Sequence, residues 1–284
     1  MARASSKEAC SIAGANGVNG ADAEALGVRC DAVSCVYTSR RGDVRALERV
    51  SFDVQGHAFV SVVGPSGCGK STLLRVLAGL QAPSSGRVSF ASKLPNGGKR
   101  PRAGLVFQEF GTFPWMTVLE NLAFGLEMAG VAESERVPRA RQFAERLGLA
   151  AFSNHYPREL SVGMRQRVDV GRAFVSDVPI LLMDEPFGAL DAQTRWVLQS
   201  ELLRIWQESR KLVVFVTHDI EEAVRLSDRV IVLSGRPGTV RAEIQIPLTR
   251  PRDLERDDTA VREITWQIWQ LLEREVRDGL AIRQ

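Results

Sequence analysis

The stretch Gly64-Pro65-Ser66-Gly67-Cys68-Gly69-Lys70-Ser71-Thr72 decides how this chain is read, because it fills every fixed position of G-x-x-x-x-G-K-[ST]. Upstream, Phe59-Val60-Ser61-Val62-Val63 is short, apolar and β-branched, as a strand buried in a parallel sheet should be. Downstream, Leu73, Leu74, Val76, Leu77 and Leu80 recur at helical spacing. A strand, a glycine loop and a helix therefore follow in order. Glycines let successive backbone N–H groups curl around a phosphate, and the helix N-terminus adds a favourable dipole. Lys70 reaches the β- and γ-phosphates, and the Ser71 hydroxyl can ligate Mg²⁺. A tight glycine turn is the bland alternative; the complete set of fixed residues and the flanking strand and helix argue against it.

The 284 residues allow one or two domains with ample chain for a large core. Hydrophobic residues make up 44% and charged residues 25%, the balance of an ordinary globular protein. A formal net charge of +3 with interspersed signs calls for no nucleic-acid partner. Cys10, Cys30, Cys35 and Cys68 lack paired metal-ligand spacing and fit a reducing compartment. No apolar run approaches the roughly 18 to 20 residues needed to span a bilayer, and the amino end lacks the apolar core of a signal peptide. Work at a membrane would need another protein to hold the chain there.

Residues 1–28, rich in Ala, Gly, Ser and Asn, read as a disordered extension. Val33, Cys35 and Tyr37 then alternate, a turn follows at Arg41-Gly42-Asp43, and Leu47 to Val54 alternates again, predicting an antiparallel β region. Ser84 to Phe90 reads as a turn into a strand, Asn96-Gly97-Gly98 as a further turn, and Gly104 to Phe107 as a strand ending at Gln108. Residues 109–160 read as mostly helical, with helices over Val118–Met128 and Glu133–Leu147 and another opened by Ser161. Ile180–Met183 and Leu212–Val216 are continuous apolar runs separated by a helical stretch, Gln193–Arg210; the last strand falls near Val230–Leu233.

Three apolar runs thus stop at Gly64, at Asp184-Glu185 and at His218. In an open parallel α/β sheet, the carboxyl edge of the strands is where ligands bind. Asp184, directly after a buried strand, suits Mg²⁺ held through its waters, and Glu185 is the candidate to orient and deprotonate an attacking water. A plain strand-ending turn before Pro186 is the competing reading, and the phosphate loop in the same chain weighs against it. His218 is placed to reach the γ-phosphate, and Gln108 to sense metal or water.

From about Cys30 onward the chain resembles the ATP-binding cassette ATPases of membrane transporters. The resemblance rests on the phosphate loop, Gln108, Leu160-Ser161-Val162-Gly163-Met164-Arg165-Gln166-Arg167, Ile180 to Pro186, Ala189-Leu190-Asp191 and His218, in the family's order. It implies a P-loop NTPase core with a mostly parallel α/β sheet, an N-terminal antiparallel β subdomain and an inserted α-helical subdomain at about 109–175. The whole would be a single ATPase domain over 29–284 ending in a helical tail at about 247–284. It further implies ATP and Mg²⁺ as cofactors and Tyr37 as the aromatic residue on adenine. Two cassettes, here a homodimer, would sandwich two ATP molecules, with Ser161, Gly163 and Asp191 of one completing the site of the other. One residue departs from the pattern: the family's signature has two glycines after the serine, and here the first is Val162. A position needing φ > 0 would suffer from valine; an ordinary helix-opening position would tolerate it, and tolerance is the reading here.

Gly111 to Asn121, Ser234-Gly235-Arg236-Pro237-Gly238 and the tail from Pro247 to Arg277, with Trp266 and Trp269, resemble importers of nitrate, sulfonates and taurine. That implies a separate permease, a solute-binding protein acting indirectly, and a position on the cytoplasmic face of the bacterial membrane. Phe110, Phe113, Trp115 and Met116 are expected either in a groove for the permease or in the helical subdomain's core, and Val261 to Val276 as a packed terminal helix. Cys68 is expected close to the phosphate, so that thiol modification blocks nucleotide binding and ATP protects. The rival readings are a soluble cassette ATPase of DNA repair, translation or scaffold assembly, and a generic phosphoryl-transfer kinase. Only roughly ninety residues, without cysteine pairs or heptads, separate Lys70 from Ser161, and there is one phosphate loop, which disfavours repair and translation types. A kinase has no use for a signature helix.

Overall fold

The computed structural model describes residues 26–39, 42–91, 103–108, 111–209, 211–250, 252 and 259–281. The chain runs β1 (Gly27–Ser39), β2 (Gly42–Gln55), β3 (Phe59–Val63), α1 (Lys70–Ala78), β4 (Ser85–Ala91) and β5 (Ala103–Val106), then α2 (Val118–Met128), α3 (Glu133–Arg146) and α4 (Val162–Val175). It continues through β6 (Ile180–Asp184), α5 (Ala192–Ser209), β7 (Leu212–Val216), α6 (Ile220–Leu226), β8 (Arg229–Leu233), β9 (Val240–Gln245) and α7 (Thr259–Ala281).

Two sheets result. The amino-terminal one is antiparallel in the order β2-β1-β4; the other has six strands in the order β5-β6-β7-β3-β8-β9, parallel except for β9. Successive side chains of a strand point to opposite faces, and the parallel strands bury both. Leu181, Met183, Val213 and Phe215 enter one apolar cluster with α2, α3, α4 and α5, whereas Ile180, Leu182, Leu212, Val214 and Val216 enter another with α1, β1 and β2. Continuous apolar runs in β3, β6 and β7 are therefore what this architecture requires. A third cluster joins Val63, Val230 and Val232 to α6 and to Val261 and Ile268 of α7.

Several boundaries differ from the sequence reading. The extension ending near residue 28 overlaps β1, which already begins at Gly27; residues 1–25, with Cys10, lie outside the described residues, as do Asn96-Gly97-Gly98 and Phe110. Leu80 falls beyond α1, which stops at a left-handed Gly79 (φ 74°) and leaves Leu80 64% exposed. The last strand is β9 rather than β8. Val-Arg-Ala-Glu-Ile-Gln alternates, but its charged residues belong to an edge: Glu243 pairs with Arg229, and Arg241 with Glu275. The carboxyl-terminal tail is helical over Thr259–Ala281, whereas residues 246–250 belong to neither helix nor strand.

Between β5 and α2 the chain is shaped by one buried amide. Asn121, fully buried, accepts from the Phe113 N–H at 2.8 Å and donates to the carbonyls of Met116 at 3.0 Å and Thr117 at 2.9 Å. Phe113 packs against Phe124 at 4.6 Å with the Arg172 guanidinium 4.9 Å over its ring, while Trp115 stays 69% exposed. Of the aromatics expected in a groove or in the core, Phe113 is thus a packing residue and Trp115 a surface one. Truncating Asn121 takes the acceptor from the part-buried Phe113 N–H and the side-chain donor from the Met116 carbonyl, so Asn121→Ala is expected to lose roughly 2–3 kcal/mol in urea denaturation; a loss under about 0.5 kcal/mol would show that the segment holds its shape without the amide.

Candidate active site

The phosphate loop connects β3 to α1 by a path that depends on glycine. Gly67 and Gly69 sit at φ 76° and 107°, where a side chain is strained, and Gly69 packs against the Ala46 carbonyl so closely that a Cβ would lie 2.7 Å from it. Gly64, Pro65, Ser66 and Cys68 complete the turn, and Ser66 is exposed at its crest. The first turn of α1 carries no acidic residue and its start no side-chain cap, leaving its N–H groups and dipole available to an anion. Lys70 is 6% exposed, its ammonium donating to the carbonyls of Gly64 at 2.9 Å and Pro65 at 3.2 Å, across the loop opening. Thr72 faces inward, and its hydroxyl lies 3.1 Å from that of Tyr37, which also donates to Gln81 at 2.8 Å. The tyrosine is thereby fastened to α1 with its ring 38% exposed beside the loop.

The neighbouring strands deliver the remaining groups. The Ser71 hydroxyl donates to Asp184 Oδ1 at 3.2 Å, bringing together two hard oxygen donors of the kind Mg²⁺ prefers. Burial pushes the Asp184 carboxyl up, opposed by the Ser71 hydrogen bond. Glu185 follows at φ 45°, one of three left-handed non-glycine residues described, with its N–H bonded to the Val216 carbonyl at 2.9 Å. That turn swings its carboxylate off the strand: Oε2 lies 3.0 Å from His218 Nδ1 and 3.5 Å from Gln108 Nε2. An ionised carboxylate only accepts, so both neighbours donate. Lys70, Ser71, Asp184, Glu185, His218 and Gln108 thus line one rim.

Ser161, Gly163 and Asp191 gather elsewhere. Ser161 caps α4, its Oγ accepting from the Met164 N–H at 3.3 Å. Val162 is an ordinary first helical residue, 40% exposed and absent from the left-handed set, so the valine meets no backbone penalty. A Cβ on Gly163 would lie 3.0 Å from Thr194 Cγ2, which places the start of α4 against the start of α5. There Asp191 accepts from the Thr194 N–H at 2.9 Å, a bond that holds its carboxyl below the usual range. Among the described residues no hydrogen bond ties these three to residues 64–72.

Beneath the rim lies a network that sequence reasoning missed. Glu222, 6% exposed, accepts from the Thr217 hydroxyl and from Gln199 Nε2 at 2.9 Å, and Arg225 donates to Gln199 at 3.2 Å. Asp219 caps α6 and pairs with Arg195 at 3.3 Å. His218 is thereby carried between two anchored residues. The sequence signal was present, since Glu222 follows His218 by one helical turn, but nothing in the pattern says that this glutamate is buried. Cys68 requires a correction too. It is 1% exposed and packed in the apolar cluster under the loop, and burial pushes its thiol up. Its thiol lies within that cluster and is closed to solvent.

The ABC transporter family model matches residues 47–188. The chain belongs to the ABC transporter family. It is 44% identical to the nitrate import ATP-binding protein NrtD of Synechocystis sp. over 79% of this chain and 84% of that protein. It is 49% identical to the taurine import ATP-binding protein TauB of Burkholderia thailandensis over 77% of this chain and 84% of that one. A dimeric ATP-binding cassette in a post-hydrolysis state, bound to ADP and Pi, matches 78% of this chain and all of its own length at 33% identity and a TM-score of 0.66. The cassette is an α/β ATPase, as its residues led one to expect. Among the described residues no helix is long and apolar enough to cross a membrane.

Two measurements follow from this geometry. Burial raises the Glu222 carboxyl to about 7 from 4.5, so the folded chain keeps this proton when the unfolded chain has lost it. The contribution is whole below pH 4.5 and disappears as pH rises through 7. Glu222→Gln should therefore gain on the wild type in thermal midpoint between pH 5 and 8, by roughly 3–6 °C; parallel midpoints across that range would mean the carboxyl titrates normally. Cys68 should react with maleimide only at the rate of unfolding, with or without Mg-ATP, and fast labelling that ATP suppresses would place the thiol at the phosphate after all.

Proposed function

We propose that this chain is the ATP-hydrolysing subunit of a bacterial importer, drawing a small anionic solute such as nitrate, a sulfonate or taurine through a separate permease. The observation that carries the reading is the rim itself, where a phosphate loop, two carboxylates, a histidine and a glutamine converge. The importer assignment draws on the relatives named for nitrate and taurine import. Soluble cassette ATPases of repair, translation or scaffold assembly lack comparable support.

In the mechanism, the loop N–H groups, Lys70 and the start of α1 hold the nucleotide phosphates, and Tyr37 lies beside the adenine. Glu185 accepts a proton from the attacking water. His218 and Gln108 fix its carboxylate, which keeps it aimed. Ser71 and Asp184 fit Mg²⁺, which when bound neutralises charge on the phosphoryl oxygens. Ser161 and Gly163 stand at an exposed helix start with dipole directed outward, and Asp191 beside them; these groups complete the site of a second copy. The partners are thus a second cassette, a permease at the cytoplasmic face of the membrane and, indirectly, a solute-binding protein, with no nucleic acid.

The composite site is testable by complementation. Lys70→Ala and Ser161→Arg, each alone, should lose at least about tenfold in ATPase activity. Their mixture should regain a substantial fraction, because one of its two sites then combines an intact loop with an intact signature. A mixture as inactive as its components would contradict the shared site. Val162→Gly should change kcat less than about tenfold, and a larger rise would show that valine handicaps the signature.

A further inference from the structure

The turn between β8 and β9 contacts the back of the phosphate loop at two places. Arg236 Nε donates to the Gly67 carbonyl at 3.3 Å. Gly238 lies so close to the loop that a Cβ there would fall 2.3 Å from the Cys68 carbonyl, while its N–H and C=O bond to Ala46 and Glu48, each at 2.9 Å. The turn is in its own right tied to the carboxyl-terminal helix. The Gly235 N–H donates to Glu275 Oε2 at 3.0 Å, and the other oxygen of Glu275 is held by Arg241 Nε at 2.6 Å. With both oxygens engaged and only 14% of its side chain exposed, Glu275 is a fixed point on α7.

From this geometry we propose that the β8–β9 turn is a strap behind the phosphate loop, with Arg236 a positioning residue for nucleotide binding and Glu275 its anchor. Gly67 is at φ 76° in a loop whose backbone path sets where its N–H groups point toward an anion. A guanidinium on its carbonyl fixes the orientation of the Gly67–Cys68 peptide, whose N–H closes the loop on the Pro65 carbonyl at 3.2 Å, and so holds the course of the loop from outside. Arg236 is exposed and touches no part of the reaction itself, so its effect falls on binding and not on the chemical step. The inference rests on reading residues 64–72 as the nucleotide site.

The test combines equilibrium titration with a fluorescent ATP analogue and steady-state ATPase kinetics. Arg236→Ala should weaken nucleotide affinity and raise KM by roughly three- to tenfold, the range of one ordinary hydrogen bond, while kcat at saturating ATP stays within about twofold. Arg236→Lys, which keeps a cationic donor, should recover most of the loss. Glu275→Ala should shift KM in the same direction, with Arg241→Ala as the substitute if that variant does not fold. Unchanged affinity and KM in Arg236→Ala, or a fall in kcat with KM unmoved, overturns the proposal. Lys70→Ala separates the two ways of failing: if it loses nucleotide while Arg236→Ala binds normally, only the strap is refuted, and if it binds like the wild type, the site reading falls and the strap with it.

Discussion

The pairing of β7 with both of its neighbours is the constraint on which the site depends. Val216 stands opposite Asp184 of β6 on one side and Val62 of β3 on the other, and it accepts from the Glu185 N–H at 2.9 Å. Parallel strands in that register end together, so the phosphate loop, the two carboxylates and the Thr217-His218 pair emerge at one level. A shift of one residue in β7 would turn Val213 and Phe215 away from their cluster and move His218 away from Glu185. The register is held by alternation: even-numbered apolar residues of β6 and β7 face the cluster with α1, odd-numbered ones the cluster with the α-helical subdomain.

Above that scaffold, the Glu185 carboxylate depends on a backbone conformation that costs energy. A glutamate at φ 45° is disfavoured by about 1 kcal/mol or more and persists because the strand pairing before it and the turn after it leave no alternative. The return is a carboxylate clear of the sheet and flanked by two donors. A second layer supports the donors. Glu222, Gln199 and Arg225 form a buried polar chain under Thr217, while Arg195 and Asp219 link α5, and with it the neighbourhood of Asp191, to the residue after His218. Residues attributed to the two halves of a composite site are therefore mechanically joined inside one chain.

Much of this was legible in the chain because buried parallel strands and a glycine phosphate loop have few alternative sequences. The ends of β3, β6 and β7, the Ser161 cap and the α/β class all follow from apolar runs and from what terminates them. Legibility failed where residues act through packing partners distant in sequence. Cys68 sits in the loop by sequence but in the core by structure, since the turn directs its thiol into the apolar cluster. β9 was overlooked because an edge strand carrying Arg241 and Glu243 resembles a solvated loop. Arg236 and Gly238 read only as part of a resemblance; that they press on a loop some 170 residues earlier is a property of the fold.

The proposed role of Glu185, activating water at a nucleotide held between two cassettes, is tested by Mg-ATP hydrolysis and self-association of the purified protein beside Glu185→Gln. The variant should lose hydrolysis by about a hundredfold or more, still bind ATP, and become a stable dimer when ATP is added. A variant that hydrolyses ATP at the wild-type rate, or one that binds ATP and stays monomeric, would contradict it.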